Sequence, residues 1–246
     1  MGLLDGKKAV IIGASGGIGY ACAEECIDEG AKVYGSYRNG KDKLYSLSEK
    51  TNGKFTPFEL NLSERESIIP ALKSAIKELG GIDILINAAG ISKPGLLYSM
   101  SSDIWEDTIS TNLTSVFHTM KAVIVPMAAN KGGAIVNVSS VYGMRGGEGQ
   151  SGYCASKSGV IALSKTAALE LASKNIRVNV VAPGYIDTEM LADIDEKKLS
   201  MFKEQIPVKR FGKAKEVAEL CVFLASNKAE YITGQIFAID GGLTAR

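Results

Sequence analysis

Four polar side chains in this sequence are of types that move protons: Asn112, Ser140, Tyr153 and Lys157. Tyr153 and Lys157 stand four residues apart in the stretch Y-C-A-S-K, a spacing that places both on one face of a helix. An ammonium beside a phenol favours the phenolate, so we expect Lys157 to lower the pKa of Tyr153 from its usual value of about 10. A phenol of this kind exchanges a proton with a carbonyl or an alcohol during hydride transfer.

A glycine-rich turn near the amino terminus predicts the site of the hydride carrier. The apolar run Lys8–Ile12 enters Gly13, and a helical pattern opens near Gly17 and Gly19. Glycines at such a turn let backbone N–H groups approach a pyrophosphate at the helix amino terminus. The spacing G-x-x-x-G-x-G differs from the commoner G-x-G-x-x-G, but its place between strand and helix indicates a dinucleotide site.

The ends of the next strands supply further candidate contacts to a dinucleotide. No acidic residue follows the second strand to accept the ribose hydroxyls of NAD. Arg38 stands there instead and can pair with the extra phosphate of NADP. The alternative is that Arg38 is an ordinary arginine of an exposed loop. After the third strand, Asn61 and Leu62 are candidates for contacting adenine. After the fourth, Asn87–Gly90 lets backbone pass close to the ribose, while Asn87 either bonds neighbouring strands or contacts the cofactor.

Short β-branched runs alternate with longer helical patterns along the chain. This alternation predicts a single-domain α/β protein over residues 1–246, a doubly wound Rossmann fold whose mostly parallel sheet has helices on both faces. The predicted strands are Lys8–Ile12, Lys32–Ser36, Lys54–Leu60, Ile82–Ile86, Ala134–Val138, Arg177–Ala182 and Ile236–Ile239. The predicted helices include Ile18–Glu29, Ser63–Leu79, Ser102–Ala129, Tyr153–Ser173 and Lys215–Ala225.

The segment Tyr185–Ile206 interrupts this alternation. It is polar, helix-capable and contains methionines, and we expect it to have no strand of its own. Long insertions after the carboxyl end of a strand often close over ligands. We therefore predict a substrate lid over residues 185–206, with a surface helical excursion as the alternative.

Composition excludes several classes of function. With 28 basic and 27 acidic side chains among 246 residues, the net charge of +1 argues against electrostatic binding to nucleic acid or to anionic membranes. No apolar run reaches the roughly 18 residues of a membrane span, and the amino terminus lacks a signal-peptide layout, so we expect a cytoplasmic protein. The four cysteines are scattered and the single histidine, His118, lies in an apolar helix, so we expect no metal site.

Together these residues resemble the short-chain dehydrogenase/reductase family from end to end. The matching positions are Gly13, Gly17, Gly19, Asn87–Gly90, Asn112, Ser140, Tyr153, Lys157, Pro183 and Gly184. Within the family, the stretches Val178–Met190 and Tyr231–Gln235 are most similar to the 3-oxoacyl-[acyl-carrier-protein] reductases. Three positions depart from the family pattern: Ile12 replaces a usual Thr, Ala88 a usual Asn, and Gly16 the basic residue common in NADP-dependent members.

The resemblance implies NADPH-dependent reduction of a 3-oxoacyl thioester. Tyr153 would protonate the alkoxide, Ser140 would orient the carbonyl, and Lys157 would bond the nicotinamide ribose. Asn112 would hold a water that re-protonates Lys157. The cofactor contacts implied are Gly13, Ser15, Gly17, Ile18, Gly19, Arg38, Asn61, Leu62, Asn87, Ala88, Gly90, Tyr153, Lys157, Pro183, Gly184, Ile186 and Thr188, with NADP favoured over NAD.

The resemblance also implies partners. Lys131 and Lys174 match basic positions at the cleft mouth that engage acyl carrier protein, although Lys lacks the forked donors of Arg. Relatives form tetramers through helices that here are Ser102–Ala129 and Tyr153–Ser173 and through the C-terminal strand region. Alternative functions are a polyketide ketoreductase, a dehydrogenase of a small secondary alcohol, sugar or steroid, and a non-catalytic dinucleotide sensor.

Overall fold

The centre of the molecule is a sheet of seven strands, all paired in parallel. The computed structural model describes residues 2–192 and 194–245. The strands of this sheet lie in the order β3-β2-β1-β4-β5-β6-β9. They are β1 (Lys8–Ile12), β2 (Lys32–Tyr37), β3 (Phe55–Glu59), β4 (Ile84–Asn87), β5 (Gly133–Val138), β6 (Ile176–Pro183) and β9 (Ile236–Ile239). The predicted fold is confirmed, and each predicted strand agrees with its observed bounds to within two residues.

Helices cover both faces of the sheet. In the described residues they are α1 (Gly17–Asp28), α2 (Lys41–Lys50), α3 (Arg65–Leu79), α4 (Ser102–Ile109), α5 (Ser115–Ala129), α6 (Ser151–Leu171), α7 (Glu196–Gln205) and α8 (Ala214–Ala225). Alternate residues of β1 point to opposite faces: Ala9 and Ile11 join a core cluster with α1, α2 and α8. Val10 and Ile12 join a second cluster with α3, α5 and α6. Burial on both faces explains why the strands read as continuous apolar runs.

Two predictions about local structure differ from what is observed. The segment 185–206, of which Asp193 lies outside the described residues, does contain a strand: β7 (Ile186–Asp187) pairs with β8 (Gly212–Lys213). A two-residue pairing shows no alternation, so the sequence pattern could not reveal it. The predicted helix Ser102–Ala129 is interrupted by a π-helical turn, Ser110–Thr114, closed where the Ser115 N–H donates to the Ser110 carbonyl.

The strand order places a crevice at one edge of the sheet. The chain runs outward from β1 to β3 and then returns to β4, which pairs with β1 on its other side. Ligands of doubly wound sheets bind at the carboxyl ends of the strands beside such a reversal. None of the helices in the described residues has both the length and the apolar character needed to cross a bilayer.

Candidate active site

Ser140 and Tyr153 meet just beyond the carboxyl end of β5. Ser140 follows that strand directly, and its Oγ accepts a hydrogen bond of 3.2 Å from the backbone N–H of Tyr142. Tyr153 lies in the first turn of α6, with its phenol near enough to the Ser140 hydroxyl for that group to lower the pKa of the phenol. The two hydroxyl groups therefore face one place, where a single carbonyl oxygen can receive a hydrogen bond from each.

Lys157 lies one helical turn after Tyr153, and its side chain is almost entirely buried, with 4% exposed. Its Nζ donates to the carbonyl of Val138 at 3.0 Å and stands 5.8 Å from the centroid of the Tyr153 ring. Burial lowers the pKa of Lys157 to about 8, because an ammonium loses hydration in the interior. Gly90 makes room for this group: a Cβ there would lie 3.1 Å from Nζ.

The acidity of Tyr153 differs from the sequence expectation. Burial raises the pKa of Tyr153 above its ordinary value, and the hydrogen bond with Ser140 lowers it only in part. The predicted lowering by Lys157 is wrong for the cofactor-free chain. The physical reason is that burial disfavours charge on both groups, and the Lys157 ammonium is directed to the Val138 carbonyl.

Asn112 is buried in the π-helical turn and holds the chain that follows β4. Its Oδ1 accepts from the Ile91 N–H and its Nδ2 donates to the Ile91 carbonyl, each at 2.8 Å. The same Nδ2 also donates to Ser156 Oγ at 3.2 Å. These bonds use both donors of the side-chain amide, so Asn112 fixes Gly90 and Ile91 against Lys157. Its predicted role in holding a water stays a prediction.

The glycine-rich turn has the close contacts that a dinucleotide cradle requires. Gly13 has a φ of +82°, and a Cβ there would lie 2.7 Å from the Cα of Ala89. A Cβ on Gly19 would lie 2.0 Å from the Gly13 carbonyl oxygen. The N-cap of α1, Gly16, offers no side-chain hydrogen bond, and the first turn carries no acidic residue. The residues present therefore fit a bound pyrophosphate.

The other predicted cofactor contacts divide into three groups: residues along the crevice, Arg38 at the end of β2, and three residues that are already engaged within the protein. The first group lies along the crevice, in the loops that follow β1, β4, β6 and β7, at the start of α1, at the last residue of β6 or in β7: Ser15, Ile18, Ala88, Gly90, Pro183, Gly184, Ile186 and Thr188. Arg38 is exposed and lines a cavity of about 700 Å³ together with Tyr37, Lys41 and Tyr45. Thr188 packs against the start of α1: a Cβ added to Gly17 would lie only 2.6 Å from Thr188 Cγ2.

Three predicted contacts are already engaged within the protein. Asn61 Nδ2 donates to Glu64 at 2.7 Å, and Leu62 is buried in the core. Asn87 donates to Asn137 Oδ1 and accepts from Thr119 Oγ1, each at 2.8 Å. Of the two readings of Asn87, the geometry favours the one in which it bonds the neighbouring strand.

Comparison with known proteins places this architecture in a family. A family model described as enoyl-(acyl carrier protein) reductase matches residues 13–244. The 3-oxoacyl-[acyl-carrier-protein] reductase of Thermotoga maritima is 43% identical, with 98% of each chain covered. Nodulation protein G of a Rhizobium species is 41% identical at the same coverage. A crystal structure from Sinorhizobium meliloti, described as a short-chain alcohol dehydrogenase, is 37% identical with a TM-score of 0.94 over 98% of each chain.

The chain belongs to the short-chain dehydrogenase/reductase family. It is therefore an oxidoreductase. Within the described part of the chain, no three His, Cys, Asp or Glu side chains are grouped so as to hold a metal ion.

Lys131 and Lys174 lie far from the chain's own cleft. Both are exposed and precede β5 and β6, so they stand at the amino-terminal edge of the sheet, whereas the cleft is at the carboxyl ends. The eight residues of β6 separate the two edges by roughly 25 Å. Their predicted place at the mouth of this cleft is wrong, because the sequence does not show which end of a strand carries the site.

The site also contains two tyrosines that the sequence motifs did not single out. The hydroxyls of Tyr142 and Tyr185 are 2.9 Å apart, and the Tyr142 ring meets the Tyr153 ring edge-on at 6.3 Å. Tyr185 also stacks on Phe202 of α7, with centroids 4.6 Å apart and an angle of 10°. Only their positions in the sequence could have indicated them: Tyr142 lies two residues after Ser140, and Tyr185 follows Gly184. The pair connects the catalytic region to the segment 185–206.

The buried Lys157 predicts a pH dependence of stability. Its folded pKa of about 8 lies below the unfolded value of about 10.4, so the folded chain releases this proton first as pH rises. The contribution of Lys157 to the free energy of unfolding therefore rises as the pH increases from the folded-state pKa to the unfolded-state pKa. It falls again as the pH is lowered through the same range. The free energy of unfolding of the wild type relative to Lys157→Met should rise by up to about 1.4 kcal/mol per pH unit across that window.

Urea denaturation at a series of pH values measures this difference. Lys165→Met, which removes an exposed lysine of the same helix, is the matched control. If the difference in unfolding free energy between wild type and Lys157→Met stays constant between the folded and unfolded pKa values, the pKa of Lys157 is not lowered in the folded chain.

Proposed function

We propose that this chain uses NADPH to reduce the 3-oxo group of an acyl thioester on acyl carrier protein to the 3-hydroxy form. The observation that carries the proposal is that the Ser140 hydroxyl and the buried Lys157 both lie beside Tyr153, with Lys157 Nζ 5.8 Å from the centroid of the tyrosine ring. Support also comes from relatives named 3-oxoacyl-[acyl-carrier-protein] reductase, which are about 40% identical over nearly the whole chain. The paired hydroxyls suit a carbonyl oxygen, which accepts from both as negative charge develops on it.

In the proposed reaction each side chain has a defined task. A bound reduced nicotinamide supplies the hydride. Ser140 donates a hydrogen bond to the substrate carbonyl oxygen and orients it, and Tyr153 gives its proton to the developing alkoxide. The raised pKa of Tyr153 keeps the phenol protonated at neutral pH, which is the form that an acid needs. A charged Lys157 beside the ring stabilises the phenolate that remains and bonds the nicotinamide ribose.

The cofactor preference for NADP rests on Arg38. It is an exposed cation at the end of β2 on the wall of the 700 Å³ cavity, and no acidic residue directly follows that strand, although Asp42 and Glu59 also line the cavity. With Gly16 in place of the basic residue common in NADP-dependent members, the cations on this cavity wall are Arg38 and Lys41.

Residues 185–206 are proposed to act as the substrate lid. Tyr185 and Phe202 bring that segment to Tyr142 beside the catalytic tyrosine. Its movement would therefore open or cover the place where the carbonyl is received.

A homotetramer is proposed for the assembly. Exposed apolar side chains on α4, α5 and α6 support helix-to-helix contact between copies: Trp105, Phe117, Val125 and Leu169 are 39%, 45%, 75% and 83% exposed. In such an assembly Lys131 and Lys174 would serve carrier-protein docking at the cleft of a neighbouring copy. Location in the cytoplasm, where fatty acids are made, stays a prediction.

The proposed substrate is tested by measuring NADPH and NADH oxidation with acetoacetyl carrier protein, a longer polyketide-like thioester and simple ketones. Preference for the short carrier-bound thioester supports the proposal. Preference for the bulky thioester indicates a polyketide ketoreductase, and preference for simple ketones or sugars indicates a small-alcohol dehydrogenase. Dinucleotide binding without reduction of any substrate would indicate a sensor.

Tyr153→Phe tests the proton donor. The variant should bind cofactor as the wild type does, but its kcat should fall by about 10² to 10⁴-fold because the acid is missing. Steady-state kinetics and cofactor titration measure the two effects, with the fully exposed Tyr231→Phe as the control. Turnover within a factor of two of wild type would remove Tyr153 from the acid role.

Arg38→Asp tests the phosphate contact. The ratio of kcat/KM for NADPH to that for NADH should fall at least about tenfold, because a charge-assisted bond is replaced by repulsion. Arg38→Lys keeps the charge and should retain most of the preference. An unchanged ratio in the Asp variant would show that Arg38 does not contact the phosphate.

A further inference from the structure

The amino terminus of α1 is capped by a carboxylate from a distant segment. The carboxylate of Glu189 lies against the backbone of Gly17: a Cβ on Gly17 would lie 2.9 Å from Glu189 Oε2, and the Gly17 N–H is close enough to lower the pKa of the carboxyl group. Glu189 follows β7, in the proposed lid. Because α1 has neither a capping side chain nor an acid in its first turn, Glu189 supplies the anion that this helix end favours.

Lys43 holds that carboxylate in place. Its Nζ lies 3.4 Å from Glu189 Oε1 and 4.1 Å from the centroid of the Tyr20 ring. Tyr20 belongs to the first turn of α1, so the ammonium stands beside the same helix end. Hydrogen bonding to its own backbone N–H, the Lys43 charge and the Gly17 N–H together hold the pKa of Glu189 below its usual value.

A dinucleotide and Glu189 require the same backbone donors. The amides after a glycine-rich turn at a helix amino terminus are those to which a pyrophosphate binds. The Gly17 N–H cannot serve a phosphate oxygen and the Glu189 carboxylate at once. Once the carboxylate leaves, Lys43 has lost its partner and stands within reach of the phosphate that replaced it.

We propose that Lys43 is a further cofactor-binding residue, and that Glu189 occupies the pyrophosphate position in the cofactor-free chain. On binding, the pyrophosphate displaces the carboxylate from Gly17, and Lys43 exchanges one anion for the other. Cofactor entry therefore releases the start of the lid from α1. This inference rests on the proposed function only in requiring that the chain binds a nicotinamide dinucleotide.

The contact is partly exposed, so its effect on affinity is modest. The Lys43 and Glu189 side chains are 41% and 69% accessible to solvent. Exposed ion pairs change affinities by a few-fold, and added salt screens them. The effect should therefore be sought in direct binding at low ionic strength.

Calorimetric titration of the cofactor-free protein with NADPH and with NADH tests the exchange. Lys43→Met should weaken both cofactors by up to about threefold and to the same extent, because the lysine pairs with one carboxylate charge in the free chain and with the doubly charged pyrophosphate, common to both cofactors, in the complex. Glu189→Ala should tighten both by a similar factor. Lys50→Met, at the other end of α2, is the matched control and should leave both affinities unchanged.

Hydrogen exchange gives a reading that is independent of the cofactor. The Gly17 amide of the cofactor-free protein should exchange faster in Glu189→Ala than in wild type, because its acceptor is gone. Equal exchange in the two proteins would overturn the capping contact. Unchanged binding of both cofactors by Lys43→Met, or weakening of NADPH alone, would overturn the pyrophosphate role. If the wild type bound neither dinucleotide, the proposed function would fail as well.

Discussion

An ammonium group removed almost completely from water constrains the rest of the active site. In the cofactor-free chain Lys157 has a pKa of about 8 and the pKa of Tyr153 is raised, so the lysine loses its proton before the tyrosine does. A charged Lys157 and a tyrosinate therefore do not coexist in that state. The proposed reaction brings the two charges together when Tyr153 gives up its proton, and the ribose hydroxyls that Lys157 is proposed to bond would stabilise its ammonium.

The fold places this lysine on α6 beside the ends of two neighbouring strands, β4 and β5. The Val138 carbonyl at the end of β5 accepts from Nζ, and Gly90 beyond β4 leaves space for it. Asn112 locks the chain after Gly90 from the π-helical turn, a wider turn often found at functional sites. On the other side of β4, the Gly13 turn packs on Ala89. The glycine-rich turn and the proposed proton donor thus lie along one edge of the sheet.

The sequence predicts those features that depend on local pattern. Apolar runs covered on both faces located the strands, and motif spacing located Tyr153, Lys157 and the glycine-rich turn. What it could not predict depends on residues distant in sequence. The pairing of β7 with β8, the contact of Lys43 with Glu189 and the tyrosine pair all join separate segments. The acidity of Tyr153 could not be predicted either, because it depends on burial, which the spacing of two residues does not show.

The most direct test of this account is an NMR titration of ¹³C-labelled Tyr153 with saturating oxidised cofactor, in wild type and in Lys157→Met. The account predicts that the Tyr153 pKa in the wild-type complex lies below that in the Lys157→Met complex, because only the wild type has an ammonium beside the phenolate. An equal Tyr153 pKa in the two complexes would contradict it, since Lys157 would then have no influence on the proton that the reaction transfers.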